Sequence, residues 1–403
     1  MEFDTTYSPE QEKFRKEVRE WLEANAKMPP ELGELPRSER EMTRDQWEWK
    51  KEFRRKLGYK GWLFPTMPKE YGGGGLTVDH DLVIKEELAA YTEIRSRQTA
   101  VAGLFVWGTA EQKDKLLRPL LRGDIDFWNV WTEPDSGVDL ASVKTTAIKD
   151  GDDYVVNGIK CYISGDFEPD HMWMLAVTDP DAPRHANLGH FFMPGNLPGI
   201  SMQFQDLINR GSQHFVFFDN VRVPKEYLVG GETQGWQVAQ TALELEHGAA
   251  GSIVGGENTS LHLIRAWQKR QVYSMAKGSA AQERLVDIII RSKVTNLLSQ
   301  RNFWMFRTSQ PQSYHGAQAT WYSRENRIRM ADDLLDIYGI HSLIDDSEWG
   351  QLGGRLEAAQ RGAPMGTHGA GSYEIDKVII ARRVGMSRTK EVAAPTHSTA
   401  TTA

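Results

Sequence analysis

Between about Asp124 and Gly231 the apolar residues of this 403-residue chain change their period. That change limits the folds open to the chain more than any other feature. On either side of the block, apolar residues recur three and four positions apart. Within it they alternate, or run together in short stretches bounded by turn residues. Asp150-Gly151 and Asn157-Gly158 are both hairpin-turn dipeptides. They bracket Tyr154-Val155-Val156 and lead into Lys160-Cys161-Tyr162-Ile163-Ser164. Met172, Met174 and Ala176 alternate with other side chains, and Phe215 to Val223 reads as a buried strand. The block is expected to be a β domain of antiparallel strands. Helices, then strands, then helices make an α+β architecture in three parts. The expected bounds are 1–124, 125–232 and 233–387, followed by a Thr- and Ala-rich tail, 388–403, expected to be disordered.

The flanking helices carry their own start signals. Ser8-Pro9-Glu10-Gln11 has the form of a capping box with Pro at the first helical position, and Phe14, Val18, Trp21 and Leu22 then share a face. A second helix is expected from an N-cap at Thr43 to Leu57, and a third from Val78 to about Tyr91. Another follows the capping box Thr109-Ala110-Glu111-Gln112 and closes at Gly123. Gly72 to Gly75 lack the lysine of a phosphate loop, so they read as a connection that lets helices approach. Past Gly235, helical patterns cover Asn258–Leu263, Leu285–Leu298, Ser323–Tyr338 and Ile375–Arg383.

Composition excludes several classes. A net charge of −7 is the wrong sign for a nucleic-acid binder. No run reaches the ~18 apolar residues of a membrane span. The start, Met-Glu-Phe-Asp, lacks the basic and apolar blocks of a signal peptide, so a cytoplasmic location is expected. Cys161 stands alone and the eleven His show no ligand spacing, so neither a disulfide nor a metal site is expected. Neither a Gly-x-Gly-x-x-Gly fingerprint after a strand nor a Gly-x-Ser-x-Gly elbow is present.

Three stretches could carry chemistry. Trp131 to Ser142 is a polar turn with Pro134 and Gly137 after the apolar Phe127-Trp128-Asn129-Val130, and reads as a surface loop or as the wall of a site. In the helix after Gly235, Ala239, Ala242, Leu243, Glu246, Ala250 and Ile253 fall on one face, so Glu246 interrupts an apolar stripe. A carboxylate placed there either pairs with a neighbouring cation or gains the raised pKa of a general base. Gly366 to Ser372 is glycine-rich before a helix; its N–H groups could face an anion or carbonyl oxygen, or the segment is a plain connector.

Taken in order, the motifs resemble the acyl-CoA dehydrogenase family over most of residues 1 to 387. Thr132-Glu133-Pro134 with Gly137 and Asp139 is similar to the family's Thr-Glu-Pro-x-x-Gly-Ser-Asp signature. The Pro-Lys-Glu-Tyr-Gly-Gly run at Pro68, Val156-Asn157-Gly158-x-Lys160 and Phe217 to Pro224 support it, as do Gly235-Trp236-x-Val238-Ala239 and Ile379 to Arg382. The resemblance implies an N-terminal all-helical domain, a middle antiparallel β domain and a C-terminal four-helix bundle, with FAD between the last two. It implies α,β-dehydrogenation of an acyl-CoA thioester to a trans-2-enoyl-CoA, hydride passing to flavin N5 and an electron-transfer flavoprotein reoxidising the flavin. A homodimer or homotetramer is implied as well.

By the same resemblance, Trp131 and Thr132 contact the isoalloxazine ring, and Tyr162, Ile163 and Ser164 lie beside it with the Ser164 hydroxyl near N5. Many members carry their base in a loop where this chain has Ala370. A minority carry a Glu on the first bundle helix, where this chain has Glu246. Ala370 would keep its backbone N–H for the thioester oxygen. Val138, His247 and Gly371 fall on the acyl-CoA side. Val138 stands in place of the signature Ser, and His247 where an Arg usually follows the base. No Arg-x-x-Phe-Gly stretch for the FAD pyrophosphate is recognisable around Lys269 to Tyr273, and the connector Ile344 to His368 looks long enough to reshape an acyl pocket. Two alternatives remain open: a same-fold oxidase or monooxygenase, and a non-catalytic partner subunit of a hetero-oligomer.

Overall fold

The computed structural model describes residues 7–33, 35–36, 41–89, 91, 99–165, 167–209, 211–246, 279–344, 354–369 and 371–386. The chain divides into two compact units, Tyr7–Glu246 and His247–Ala403 with Met1–Thr6.

The first unit begins with helices where their caps place them. Ser8 and Gln11 exchange side-chain and backbone hydrogen bonds to open α1 (Pro9–Asn25), and Thr43 and Gln46 do the same for α2 (Arg44–Tyr59). Helices α3 (Val78–Leu88) and α4 (Thr99–Trp107) follow. The Thr109–Gln112 box then starts α5 (Ala110–Gln112), continued by a π turn, Lys113–Leu117, and α6 (Arg118–Leu121); Gly123, at φ +76°, ends the run. Gln112 also donates 2.8 Å hydrogen bonds to the carbonyls of Glu226 and Leu228, so one cap ties the helices to the strand block. The glycine run is a close crossing. A Cβ on Gly73 would lie 2.3 Å from the Met67 carbonyl oxygen, and one on Gly74 2.3 Å from that of Gly61.

The eight-stranded sheet comprises β1 (Phe127–Val130), β2 (Thr146–Asp150), β3 (Asp153–Ile163), β4 (His171–Val177), β5 (Leu188–Pro194), β6 (Ile200–Asp206), β7 (Ser212–Pro224) and β8 (Leu228–Val229). Its order is β6-β7-β3-β2-β4-β5-β8, with β1 against β4. The pairs are antiparallel apart from β1 on β4 and a single parallel β2–β4 contact at Thr146 and Val177. Both faces of β4 and β5 are covered. Met172, Met174, Ala176, Phe191 and Met193 join Trp128, Val130 and Val216 in the core of the β domain, while Trp173, Leu175 and Phe192 pack with Leu22, Leu57, Leu104 and Leu117 of the helices. Two-sided burial is why β4 reads as a nearly continuous apolar run.

The two dipeptide turn signals have different fates. Asp150 pairs with Asp153 across Gly151-Asp152, and Gly151 takes φ +67°, so the first is a tight hairpin. Asn157-Gly158 does not turn the chain. It lies inside β3, where the register with β7 shifts between Val156 and Gly158. Glycine is needed there because a Cβ would fall 2.4 Å from the Thr145 hydroxyl. A dipeptide that favours positive φ serves a bulge as well as a hairpin.

Helix α7 (Gly235–Glu246) closes the unit. Its Val238, Ala239 and Ala242 are fully buried and Leu243 packs against the same core, as the stripe through Glu246 requires. Ala250 and Ile253, further along that stripe, lie outside the described residues.

The second unit contains α8 (Ser279–Arg307), α9 (His315–Tyr338), α10 (Arg355–Gly362) and α11 (Tyr373–Arg383) among its described residues. Leu285, Ile288, Leu334, Ile337, Tyr338 and Leu356 form its core, with Arg291 and Arg284 both paired to Asp333 across α8 and α9. The 344–368 connector carries structure of its own. Its described part folds as α10 and the short turn Pro364–Thr367, and α10 contributes to the core. The predicted helix Asn258–Leu263, the 269–273 stretch and the 388–403 tail lie outside the described residues. No helix among the described residues is long and apolar enough to cross a membrane.

Candidate active site

Trp131 and Thr132 stand where the chain leaves the sheet. The β1–β4 ladder ends at Val130 and Met174, and side chains take over from it. The Trp131 carbonyl accepts from Lys160 Nζ at 3.1 Å, and the Thr132 carbonyl accepts from the Cys161 N–H at 2.9 Å. Glu133 and Ser136 then close the Pro134 turn with a reciprocal pair of backbone bonds at 2.7 and 3.1 Å. These contacts bring the start of the signature stretch against the end of β3, 27 or more residues away.

Beneath that junction lies a buried ion pair. Lys160 Nζ, fully enclosed, donates to Glu133 Oε1 at 2.8 Å and to the Leu175 carbonyl at 2.7 Å as well as to Trp131. Glu133 accepts in addition from the backbone N–H groups of Lys144 at 2.6 Å and Thr145 at 2.9 Å. Burial would raise the Glu133 pKa, but the Lys160 ammonium and these donors outweigh it and hold the carboxylate below its usual range. Burial draws Lys160 below the usual lysine value, and Glu133 opposes that shift. Every ammonium hydrogen is matched to an acceptor.

At the end of β3 the backbone makes a second irregularity, between Lys160 and Ile163. Tyr162 takes φ +57°, uncommon for a bulky residue, and is 54% exposed. Ile163 turns into the β core and is 2% exposed, so what it can offer outward is backbone. Its carbonyl accepts from the Nδ1–H of His214 at 3.2 Å. The Ser164 hydroxyl accepts from Gln213 Nε2 at 3.3 Å. The Trp131 indole is buried, yet its Nε1–H meets no hydrogen-bond partner.

Val138 is 64% exposed on the turn, beside the Arg184–Asp139 ion pair. Glu246 is the last residue of α7, and its side chain lies outside the described residues, as do His247 and Ala370. Gly371 belongs to the second unit. Its carbonyl and that of Gly369 each accept a 2.7 Å bond from Arg324, which also pairs with the buried Asp376 at 3.2 Å. One arginine thus holds the carbonyls on both sides of position 370. No group of three or more metal-ligating side chains occurs among the described residues.

Two histidines were not signalled by spacing. His190 is fully buried between Trp173, at 3.8 Å between ring centroids, and Trp131, at 5.7 Å. Burial, reinforced by the Lys160 charge, pushes it well below 6.5. Burial also lowers His171, stacked on Phe192, to about 4. Both folded values lie below the unfolded one, so their contribution to stability is present above pH 6.5 and is lost as pH falls. For His171 alone the loss between pH 6.5 and 4 is about 3 kcal/mol. The thermal midpoint should therefore begin to fall below about pH 6.5, before carboxylates titrate, and His171→Phe should flatten the slope. A midpoint unchanged from pH 7 to 5 would contradict the buried neutral imidazoles.

Three domain models of one family match the chain in the order of its blocks: the acyl-CoA dehydrogenase N-terminal domain over residues 8–124, the middle domain over 129–221 and the C-terminal domain over 233–385. The chain belongs to the acyl-CoA dehydrogenase family. It is an oxidoreductase of that family and has its fold. Among curated relatives, the acyl-CoA dehydrogenase FadE26 of Mycobacterium tuberculosis is 27% identical, over 93% of this chain and 96% of its own length. Among solved structures, the ChsE4–ChsE5 complex from Mycobacterium tuberculosis superposes with a TM-score of 0.80 at 26% identity, covering 95% of this chain and 99% of that one. The Tcur3481–Tcur3483 steroid acyl-CoA dehydrogenase gives the same TM-score and identity over 96% and 100%.

Proposed function

We propose that the protein is an FAD-dependent dehydrogenase that converts an acyl-CoA thioester to the trans-2-enoyl-CoA, with Glu246 as the base. Family membership supports the reaction class. The placement of the base rests on one contrast within the chain. Position 370, where many members carry the base, holds Ala, whereas α7 ends on a carboxylate at Glu246.

The residues at the strand junction fit a flavin. The half-buried Thr132 and the exposed Tyr162 offer a hydroxyl and a ring surface at the ends of two strands, as an isoalloxazine requires. FAD supplies the acceptor for the hydride that leaves the β-carbon. Glu246 takes the α-proton, and the electron pair of that C–H bond becomes the new C–C double bond. An electron-transfer flavoprotein is the proposed electron acceptor.

The acyl group is proposed to be bulky and ring-bearing. The relative named a steroid acyl-CoA dehydrogenase supports this. Anaerobic titration of the flavin-loaded protein with straight-chain and steroid-derived acyl-CoA thioesters tests both points. Bleaching of the 450 nm flavin band by the steroid thioester is expected. Bleaching by straight-chain thioesters alone would reject the bulky acyl group, and no bleaching by any thioester would reject the reaction.

A second reading comes from the same relatives, whose names pair two components. In that reading the chain works as one subunit of a hetero-oligomer. Purified alone it would be colourless, gaining flavin when a partner chain is co-expressed; a yellow, active homo-oligomer would exclude it.

A further inference from the structure

The ion pair beneath the junction is more than the core requires. A buried pair contributes little net stability relative to apolar residues of the same volume, because desolvating two charges offsets their attraction. What it adds is direction. Lys160 reaches three fixed acceptors from three separate segments: Glu133 on the signature turn, the Trp131 carbonyl just past β1, and the Leu175 carbonyl on β4. Glu133 collects a fourth segment through the N–H groups of Lys144 and Thr145. The strand ladder that could have set these positions stops at Val130, and β3 breaks register immediately after Lys160.

We infer that the Lys160–Glu133 pair is a positioning device for flavin binding. It fixes the Trp131-Thr132 segment against Cys161-Tyr162, so that the donors on both strand ends face the cofactor together. The inference rests on the flavin reading above and deepens it. Lys160 touches the Trp131 carbonyl directly, and Cys161, its chain neighbour, donates to the Thr132 carbonyl at 2.9 Å. A shift of the ammonium therefore moves the first segment relative to the second. Neither charged residue reaches the protein surface, Lys160 being 0% and Glu133 5% exposed, so both act through the backbone they hold.

The test separates positioning from stability. The double variant Lys160→Met/Glu133→Gln removes both charges while keeping the volume; it leaves the Trp131 and Leu175 carbonyls and one of the two N–H groups on Glu133 without a partner, so its thermal midpoint as apoprotein should fall, and the fall is matched against that of a core variant. FAD titrated into the apoprotein, followed by flavin fluorescence, should then bind about tenfold or more weakly, the loss expected from a misplaced hydrogen bond or two. The visible circular dichroism of the bound flavin should change as well. In Glu133→Gln alone, which keeps the shape of the side chain, weakened FAD binding is also expected, and this arm stands if the double variant does not fold. Ile337→Ala, in the separate core of the second unit, should lose stability and keep its FAD affinity. FAD affinity and dichroism equal to wild type in the charge variants would overturn the positioning role alone. A wild-type protein that takes up no FAD, either alone or with a co-expressed partner chain, would overturn the flavin reading, and the positioning role with it.

Discussion

Glu246→Gln should slow flavin reduction by an acyl-CoA thioester by about 10² to 10⁴-fold, the usual contribution of a general base, while FAD remains bound. The substitution keeps the shape of the side chain and removes its capacity to accept a proton. Its position argues for a local effect. Glu246 ends α7, one turn beyond Ala242 and Leu243, and the helix is anchored through Val238, Ala239 and Ala242, all fully buried. Those anchors do not depend on the carboxylate, so the fold of the first unit should be unchanged. Single-turnover reduction under anaerobic conditions reads the chemical step directly. A variant that bleaches at the wild-type rate would assign the base elsewhere. Equal losses of bound FAD and of reduction rate would point to a structural carboxylate, the other reading of an acid on an apolar stripe.

Local signals in the sequence were read well because their physics is local. A capping box involves two residues three apart, and Ser8/Gln11, Thr43/Gln46 and Thr109/Gln112 each form the predicted bonds. Alternation in β4 survives because Met172, Met174 and Ala176 face one core while Trp173, Leu175 and Val177 face another. The misread element depends on a partner distant in the chain. Asn157-Gly158 carries the dihedral preferences of a turn, and whether it turns or bulges depends on the register with β7, some sixty residues on. The site was legible as motifs rather than as geometry. Glu133 and Lys160 were visible as letters of two separate motifs, but their contact requires that the end of β1 lie beside β3. Nothing in either stretch states that juxtaposition. His190 gave no signal because one histidine in an apolar strand has no period of its own.

Lys160→Met alone should lower stability by about 3 to 5 kcal/mol, because it leaves the Glu133 carboxylate enclosed without its cation. The pH dependence of that loss is the sharper prediction. In the wild type, the Glu133 pKa is held below its ordinary value of 4.5. Its contribution to stability is therefore complete above about pH 4.5 and is lost as pH falls through the lower folded value. In the variant the sign reverses. Burial now acts with no ammonium to oppose it and raises the Glu133 pKa, so protonation relieves the variant as pH falls toward 5. The difference in thermal midpoint between the two proteins should be greatest near neutral pH and should shrink on acidification. Adding Glu133→Gln to the variant should recover part of the loss at pH 7 and remove its pH dependence, because a neutral amide needs no cation but can accept from only one of the two N–H groups that the carboxylate served. A Lys160→Met deficit that stays constant from pH 7 to 4.5 would mean that lost packing, rather than an unpaired charge, sets the cost. The ion pair would then be incidental to the fold of the junction.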